Sequence, residues 1–464
     1  MKPRLSKKAR VRADPRDGAA VLLSPERGLR LSETAAAVVA LCDGTRTIEE
    51  IVGELAARYE KTPRARIEAD VRALLADLHG RALLEGWSPV DSAVPKAAPG
   101  AAAGGRDAPS GESPYTLVAE LTHRCPLACP YCSNPRDLVR GNEELGTDDW
   151  LRVLDEAKAM GAMQVHLTGG EPLARSDLEA IAARARADDY YVNLVTSGIP
   201  ADRARLERLA PSLDHVQLSV QAADRETSDR VAGLGSFEAK LRVAGWVKEL
   251  GLPLTLNCVL HRENLDGVEA VVAMAERLRA DRLELANVQM ISWAHANAEA
   301  LLPARGQIDH ARQVAREAKA RLEGRMEVVF VLPDWHADRP RACMDGWGRR
   351  FVVVAPDGAV LPCHGARALP LAFGSVRSGA LGSAWSDAPG MKAFRGEDWM
   401  REPCRSCDRR AIDFGGCRCQ AFALTGDARA TDPACALAPD HALVRTAREG
   451  AERDARRAWI YRGR

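Results

Sequence analysis

Twelve cysteines lie in this 464-residue chain, and their spacing is uneven. Cys125, Cys129 and Cys132 form Cys-x3-Cys-x2-Cys with Tyr131 inside it, which puts three thiols on one short loop. Three thiolates can hold three irons of a four-iron cluster and leave the fourth iron open to a substrate. Zinc is the alternative, but zinc motifs usually pair two Cys-x2-Cys units, and this loop has three thiols. Seven more cysteines follow as Cys343-x19-Cys363, Cys404-x2-Cys407, Cys417-x-Cys419 and Cys435. Such density predicts a segment organised by metal clusters, with little room for a large apolar core. Cys42 and Cys258 stand alone on apolar stretches and read as buried, inert thiols. Three polar groups accompany the thiols: Gly169-Gly170-Glu171-Pro172, Thr196-Ser197-Gly198, and the alternating Gln217, Ser219 and Gln221. The glycines allow close backbone approach, the carboxylate can pair with an ammonium group, and the hydroxyls and amides suit ribose hydroxyls.

The elements that must carry these groups can be read from the apolar periodicity. Strands are predicted at Tyr115–Leu121, Met163–Thr168, Tyr191–Val195, His215–Val220, Pro253–Leu260 and Arg282–Val288. Helical stretches such as Thr147–Met160 and Ser176–Ala187 lie between them. Six β-α units predict an α/β fold, a partial (β/α)6 TIM-like barrel, with chemistry at the C-terminal strand ends. Each polar group above falls at such an end. The segment 1–88 reads as an α+β, winged-helix-like domain: a hairpin over Ala19–Leu31 with a Pro25–Gly28 turn, then three helices. The second of these helices carries a Thr47/Glu50 capping box. Its hairpin edge suits peptide capture by strand addition, and its basic arm from Lys2 to Arg12 reads as a solvated tail. Residues 89–114 form an Ala/Gly/Pro/Ser linker, and the remaining boundaries are 115–335 for the barrel, 336–440 for the cysteine-rich domain and 441–464 for a helical tail.

Composition narrows the setting. A formal net charge of +1 argues against a nucleic-acid binder with a basic surface. No apolar run reaches the roughly 18 residues a membrane helix needs, and no signal-peptide core follows the N-terminus. A cytoplasmic protein is expected, with reduced thiols and no disulfide framework.

The cysteine loop, the glycine–glutamate turn and the strand-end polar residues, in this order along six β-α units, resemble the radical S-adenosylmethionine (SAM) superfamily over the whole barrel. The resemblance implies that Cys125, Cys129 and Cys132 hold one 4Fe-4S cluster whose open iron chelates SAM. It also implies that Tyr131 packs near the adenine, that Gly169, Gly170 and Glu171 hold the methionine amino group, and that Ser197, Gln217 and Ser219 lie near the ribose. The later cysteines resemble the SPASM domain, which typically binds two auxiliary iron–sulfur clusters, 4Fe-4S or 2Fe-2S. Asp413 stands where the SPASM pattern has a cysteine, so seven cysteines and one aspartate supply eight ligands. By resemblance, Cys343, Cys363, Cys417 and Cys419 serve one cluster, and Cys404, Cys407, Asp413 and Cys435 the other.

Two further resemblances belong to one pathway. Residues 19–87, with Leu41-Cys42-Asp43-Gly44 and the Thr47–Glu50 helix, look like PqqD, a family that chaperones the precursor peptide in pyrroloquinoline quinone (PQQ) biosynthesis. The stretches Glu284–Gln289, Arg395–Cys404 and Asp413–Gln420 resemble PqqE. That family joins a glutamate and a tyrosine side chain of the precursor peptide PqqA through a new carbon–carbon bond. The implied route cleaves SAM to a 5′-deoxyadenosyl radical, abstracts hydrogen from the glutamate, adds the carbon radical to the tyrosine ring, and passes an electron to the auxiliary clusters. A flavodoxin- or ferredoxin-type donor is implied. Met290-Ile291-Ser292 depart from the family's usual residues and are expected at a strand end facing the barrel mouth, where they bear on substrate contacts. Two alternatives stand beside this reading: a SPASM maturase of another ribosomal peptide, and a non-catalytic iron–sulfur or zinc scaffold that binds a peptide.

Overall fold

The computed structural model describes residues 2–13, 20–24, 27–81, 83–88, 114–200, 202–453 and 458–462. The expected linker lies outside these residues apart from Pro114, as do two residues of the Pro25–Gly28 turn. The chain divides into two compact units, Met1–Glu112 and Ser113–Arg464.

The first unit runs β1 (Arg4–Leu5), β2 (Arg10–Ala13), β3 (Ala20–Ser24), β4 (Arg27–Arg30), α1 (Glu33–Leu41), α2 (Ile48–Arg58), α3 (Arg64–Gly80) and β5 (Leu84–Glu85). Strands β2, β3 and β4 form an antiparallel sheet with β4 at one edge, and β1 pairs with β5. Helix α2 starts where the sequence predicts. The Thr47 hydroxyl accepts the Glu50 N–H, and the Glu50 carboxylate accepts the Thr47 N–H, so two donors at the helix start are satisfied reciprocally. Its buried face of Ile48, Ile51, Val52 and Leu55 packs with Val71, Leu75 and Leu78 of α3.

The second unit opens with β6 (Thr116–Thr122), α4 (Thr147–Ala159), β7 (Gln164–Gly169), α5 (Leu178–Ala187), β8 (Tyr191–Thr196) and α6 (Arg203–Leu209). It continues with β9 (His215–Val220), α7 (Arg225–Ala232), α8 (Phe237–Glu249), β10 (Leu254–Leu260), α9 (Val268–Arg277) and β11 (Arg282–Asn287). All six expected barrel strands form, and they pair in parallel in chain order. Side chains alternate across each strand. Leu117, Val165, Val192, Val216, Leu256 and Leu283 enter the core under the helices, while Gln217, Ser219, Asn257 and Glu284 take the other face. Helix α4 buries Trp150, Val153, Leu154 and Ala157 at helical spacing, with Asp148 and Asp149 in its first turn and Lys158 in its last.

Beyond the sixth strand come α10 (Ser292–Ala296), α11 (Ala298–Leu301), α12 (Arg305–Arg321), β12 (Glu327–Val331), β13 (Phe351–Val354) and β14 (Val360–Leu361). Strand β12 extends the β11 edge in parallel, whereas β13 pairs in parallel with β6 and turns through Pro356-Asp357-Gly358 into antiparallel β14. The sheet therefore has nine strands and ends at β12 and β14, so the barrel is partial. The chain closes through α13 (Leu381–Asp387), α14 (Pro389–Lys392), α15 (Arg410–Asp413), α16 (Arg418–Thr425) and α17 (His441–Ala451). One expectation is corrected here. The cysteine-rich part does have an apolar core, because Val352, Val360, Val376, Leu381, Trp385 and Met391 join the barrel's own. Pairing β13 to β6 gives this segment a ready-made apolar surface, so it need not rely on metal alone. No helix among the described residues is long and apolar enough to cross a membrane.

Candidate functional site

The loop after β6 carries Cys125, Cys129 and Cys132, with Cys129 buried and the other two half-buried. Its shape is set by backbone bonds, from Ala128 N–H to the Ala232 carbonyl (2.8 Å) and from Cys132 N–H to the Cys129 carbonyl (3.2 Å). None of the twelve cysteines is in a disulfide. Burial pushes the Cys125 thiol up to about 12 and the Cys132 thiol up to about 11. Three desolvated thiols on one loop become thiolates only where a positive centre compensates them, which is the chemistry of an iron–sulfur site. Tyr131 packs its ring 5.6 Å from that of His261, and its hydroxyl accepts from Gln221 Nε2 at 3.3 Å.

The glycine motif braces this loop. Gly170 N–H donates to the Thr122 carbonyl at 2.6 Å, and Glu171 N–H to the Arg124 carbonyl at 2.8 Å. A Cβ on Gly169 would stand 2.3 Å from the Thr122 oxygen, and one on Gly170 would stand 2.4 Å from the Arg124 oxygen. Both positions therefore need glycine for packing against the start of the cysteine loop. Glu171 is fully buried, and its carboxylate faces inward. It accepts from Leu173 N–H (2.9 Å), Thr196 Oγ1 (2.6 Å), Ser197 N–H (2.6 Å) and Ser197 Oγ (2.5 Å). Burial raises its pKa, and these four donors oppose that rise. Thus Glu171 and Ser197 are joined to each other, tying the turn after β7 to the end of β8. Gln217 and Ser219 share one face of β9, half-buried.

Lys240 of α8 reaches the same region, and sequence reasoning overlooked it. It is 1% exposed, donates to the Ser219 carbonyl at 3.1 Å, and also bonds Gln221 Oε1. Burial lowers its pKa, while Cys129, Glu171 and Cys125 pull the other way. The site therefore holds a buried amine bonded to the strand-end polar row. A cavity of about 630 Å³ opens beside the loop, with Cys125, Leu127, Val139, Arg140 and Arg462 among its walls.

In the C-terminal part, Cys343, Cys363, Cys419 and Cys417 stand in a ring, each within side-chain hydrogen-bond reach of two others. Cys363 Sγ and Cys419 Sγ are 3.9 Å apart. Bonds from Cys343 and Cys419 draw the Cys363 thiol well below its usual range. Among the described residues, no three His, Cys, Asp or Glu side chains close on one point as they would around a single ion. The second set is looser. Cys404 Sγ lies 3.2 Å from Thr431 Oγ1, and Arg339 Nη1 donates to Cys435 Sγ at 3.3 Å. Arg339 also senses the charges of Cys407 and Asp413. Asp413 is buried, and its Oδ1 accepts Gly415 N–H at 3.1 Å. Arg418, a second residue that sequence reasoning passed over, is 1% exposed. It donates to the carbonyls of Gly415, Gly416, Ala428 and Ala430 and lies 4.8 Å from the Trp399 ring.

In the departure at residues 290–292, Met290 and Ile291 are buried and Ser292 is half-buried. Met290 belongs to the apolar cluster that includes Val288 and Trp335, and Ile291 to the one that includes Cys363 and Cys419. Ser292 Oγ donates to the Asn134 carbonyl at 2.5 Å.

Comparison with known proteins places this architecture. Residues 19–84 match the family described as coenzyme PQQ synthesis protein D (PqqD), 119–275 the Radical SAM superfamily, and 343–408 the SPASM iron–sulfur cluster-binding domain. A PqqA peptide cyclase of Granulibacter bethesdensis is 51% identical over 354 residues, covering 76% of this chain and 94% of the relative. The chain belongs to the PqqA peptide cyclase family. A second cyclase, from Methylorubrum extorquens, is 50% identical over 336 residues, covering 72% of this chain and 88% of its own length. Among solved structures, Streptococcus suis SuiB bound to S-adenosylmethionine aligns with a TM-score of 0.62 at 17% identity, covering 90% of this chain and 96% of SuiB. That likeness speaks to the fold. The protein is a radical SAM enzyme with iron–sulfur clusters, and it carries a PqqD domain in the same chain.

Proposed function

We propose that this enzyme joins a glutamate and a tyrosine side chain of the precursor peptide PqqA through a carbon–carbon bond, as an early step towards PQQ. The observation that carries the proposal is the pairing of two parts in one chain: a region 51% identical to a PqqA peptide cyclase and a PqqD domain. Tethering the two makes peptide delivery intramolecular, at high effective concentration. The peptide is expected to add to the β4 edge of the first unit, by main-chain pairing.

Cys125, Cys129 and Cys132 suit a 4Fe-4S cluster, since all three are desolvated thiols on one loop. When bound there, the cluster supplies the electron that splits the carbon–sulfur bond of SAM. The chain's own part is to hold and orient. Gly169 and Gly170 bring the β7 turn against the thiol loop, Glu171 locks that turn to Ser197, and Tyr131 offers a ring for adenine. Gln217 and Ser219, on one face of β9, would lie near the ribose, and Lys240 would brace that strand end through the Ser219 carbonyl and Gln221. The ring of Cys343, Cys363, Cys417 and Cys419 suits one auxiliary cluster, and Cys404, Cys407, Asp413 and Cys435 the other. A carboxylate is a harder donor than a thiolate, so Asp413 should set the second cluster's potential apart. A flavodoxin- or ferredoxin-type protein is the proposed electron donor. Tandem mass spectrometry of PqqA after anaerobic turnover tests the reading. Loss of two hydrogens, mapped to one Glu and one Tyr, is expected; unmodified peptide beside continuing 5′-deoxyadenosine formation would contradict it.

A further inference from the structure

The segment 458–462 returns to the cysteine loop, and nothing in the reaction described so far uses it. Its backbone is held by Asn297, whose Oδ1 accepts Ile460 N–H at 2.7 Å. The Asn297 amide donates to the Ile460 carbonyl at 2.9 Å and to the Pro130 carbonyl, between Cys129 and Cys132, at 2.9 Å. Trp459 stacks edge-on to His261 at 6.1 Å and carries the Arg230 guanidinium 4.6 Å from its centroid. These contacts deliver Arg462, which is 6% exposed, to the loop itself.

Arg462 engages the loop three times. Its N–H donates to the Ala128 carbonyl at 3.0 Å, Nη1 to the Leu127 carbonyl at 3.3 Å, and Nη2 to the His123 carbonyl. The planar fork spans carbonyls on both sides of Cys125, a geometry an ammonium group cannot reproduce. Its Nε is buried without an acceptor among the described residues, an expensive state for a charged donor. Arg462 and Cys125 line the same cavity beside the loop.

We propose that Arg462 is a positioning residue of the SAM-cluster loop: it clamps the loop through the His123 and Leu127 carbonyls and sets a permanent positive charge, with one N–H to spare, against the loop that carries the three cysteines. This rests on the reading that those cysteines hold the cluster. Adding one electron makes the bound cluster one charge more negative, so a fixed buried cation on its loop favours the reduced state. The enzyme thereby makes its cluster easier to charge before SAM is cleaved.

Redox titration of the full-length holoenzyme, followed by electron paramagnetic resonance, tests this. The relevant signal is the one that responds to SAM and is missing from a Cys125→Ala, Cys129→Ala, Cys132→Ala variant; its absence from the parent would refute the cluster reading itself. Arg462→Gln is expected to lower the reduced-to-oxidised ratio at fixed potential about tenfold, equivalent to about 59 mV for one electron. Arg462→Lys, which keeps the charge, should recover most of it. If Arg462→Gln cannot hold this cluster while both auxiliary clusters stay loaded, the clamp is supported. An Arg462→Gln protein that titrates like the parent, an Arg462→Lys shift as large as that of Arg462→Gln, or equal loss of all clusters would overturn the proposal.

Discussion

Gly170→Ala isolates the contact between the β7 turn and the thiol loop. The added Cβ would meet the Arg124 oxygen at 2.4 Å and the His123 oxygen at 2.6 Å, both backbone atoms that no rotamer change can move. Real contacts do not fall below 3.0 Å, so the two backbones must part by roughly 0.6 Å. That displacement stretches the 2.8 Å bond from Glu171 N–H to the Arg124 carbonyl beyond the ordinary range. Overpacking at about 1–3 kcal/mol and one weakened backbone bond at about 1 kcal/mol give a local cost of roughly 2–4 kcal/mol. At about 1.4 kcal/mol per decade, the correctly formed loop becomes about thirtyfold to several hundredfold rarer. The assay is anaerobic 5′-deoxyadenosine formation with iron counted per chain. The variant should lose about four irons and most of its rate while its auxiliary clusters persist. Gly245→Ala in α8 is the control, since nothing lies within 4 Å of its Cβ and helix propensity favours alanine by about 0.5–1 kcal/mol. A Gly170→Ala enzyme with the parent's iron content and a rate within about threefold would refute the reasoning.

Three further outcomes are expected. Asp413→Ala should change the spectrum and iron content of one auxiliary cluster, whereas Asp413→Cys should retain the iron; unchanged spectra in Asp413→Ala would count against ligation. His215 bonds Asn193 and Thr255 inside the barrel, and burial lowers its pKa from 6.5 to about 4. The unfolded state therefore binds the extra proton, and about 3 kcal/mol present above pH 6.5 is lost as pH falls towards 4. Thermal unfolding of His215→Asn should depend less on pH across that window than the parent's; parallel curves would contradict the sign. Thr47→Ala should cost the first unit about 1 kcal/mol through loss of the capping box. Hydrogen exchange across α2 in the full chain should rise accordingly, without change at the cysteine loop.

The six barrel strands were legible because their apolar alternation is strong and each ends in a turn or a polar group. Strand β12 was missed: it is only five residues long, and it starts at an exposed glutamate directly after a charged helix. The β13–β14 hairpin carries an Asp357-Gly358 turn, which was a usable signal. Its pairing with β6, about 230 residues away, had none. The grouping of Cys343, Cys363, Cys417 and Cys419 was implied by the SPASM resemblance, and the four stand in one ring. Lys240, Arg418 and Arg462 were not legible, because lysine and arginine are read as surface residues, and only the fold reveals which are buried and paired. Glu171 stood out in the sequence as a carboxylate at a strand end, but its direction was not legible: the end of β8 supplies three of its four donors, and sequence separation hides that meeting.

The central claim is that this chain generates a SAM-derived radical that takes hydrogen from a glutamate of its peptide. It is tested most directly with a precursor peptide deuterated in its glutamate side chains, incubated anaerobically with reduced enzyme and SAM. The account predicts 5′-deoxyadenosine enriched by one deuterium, together with crosslinked peptide, and neither product from the Cys125, Cys129, Cys132 triple alanine variant. Crosslinked peptide beside 5′-deoxyadenosine without deuterium would contradict it.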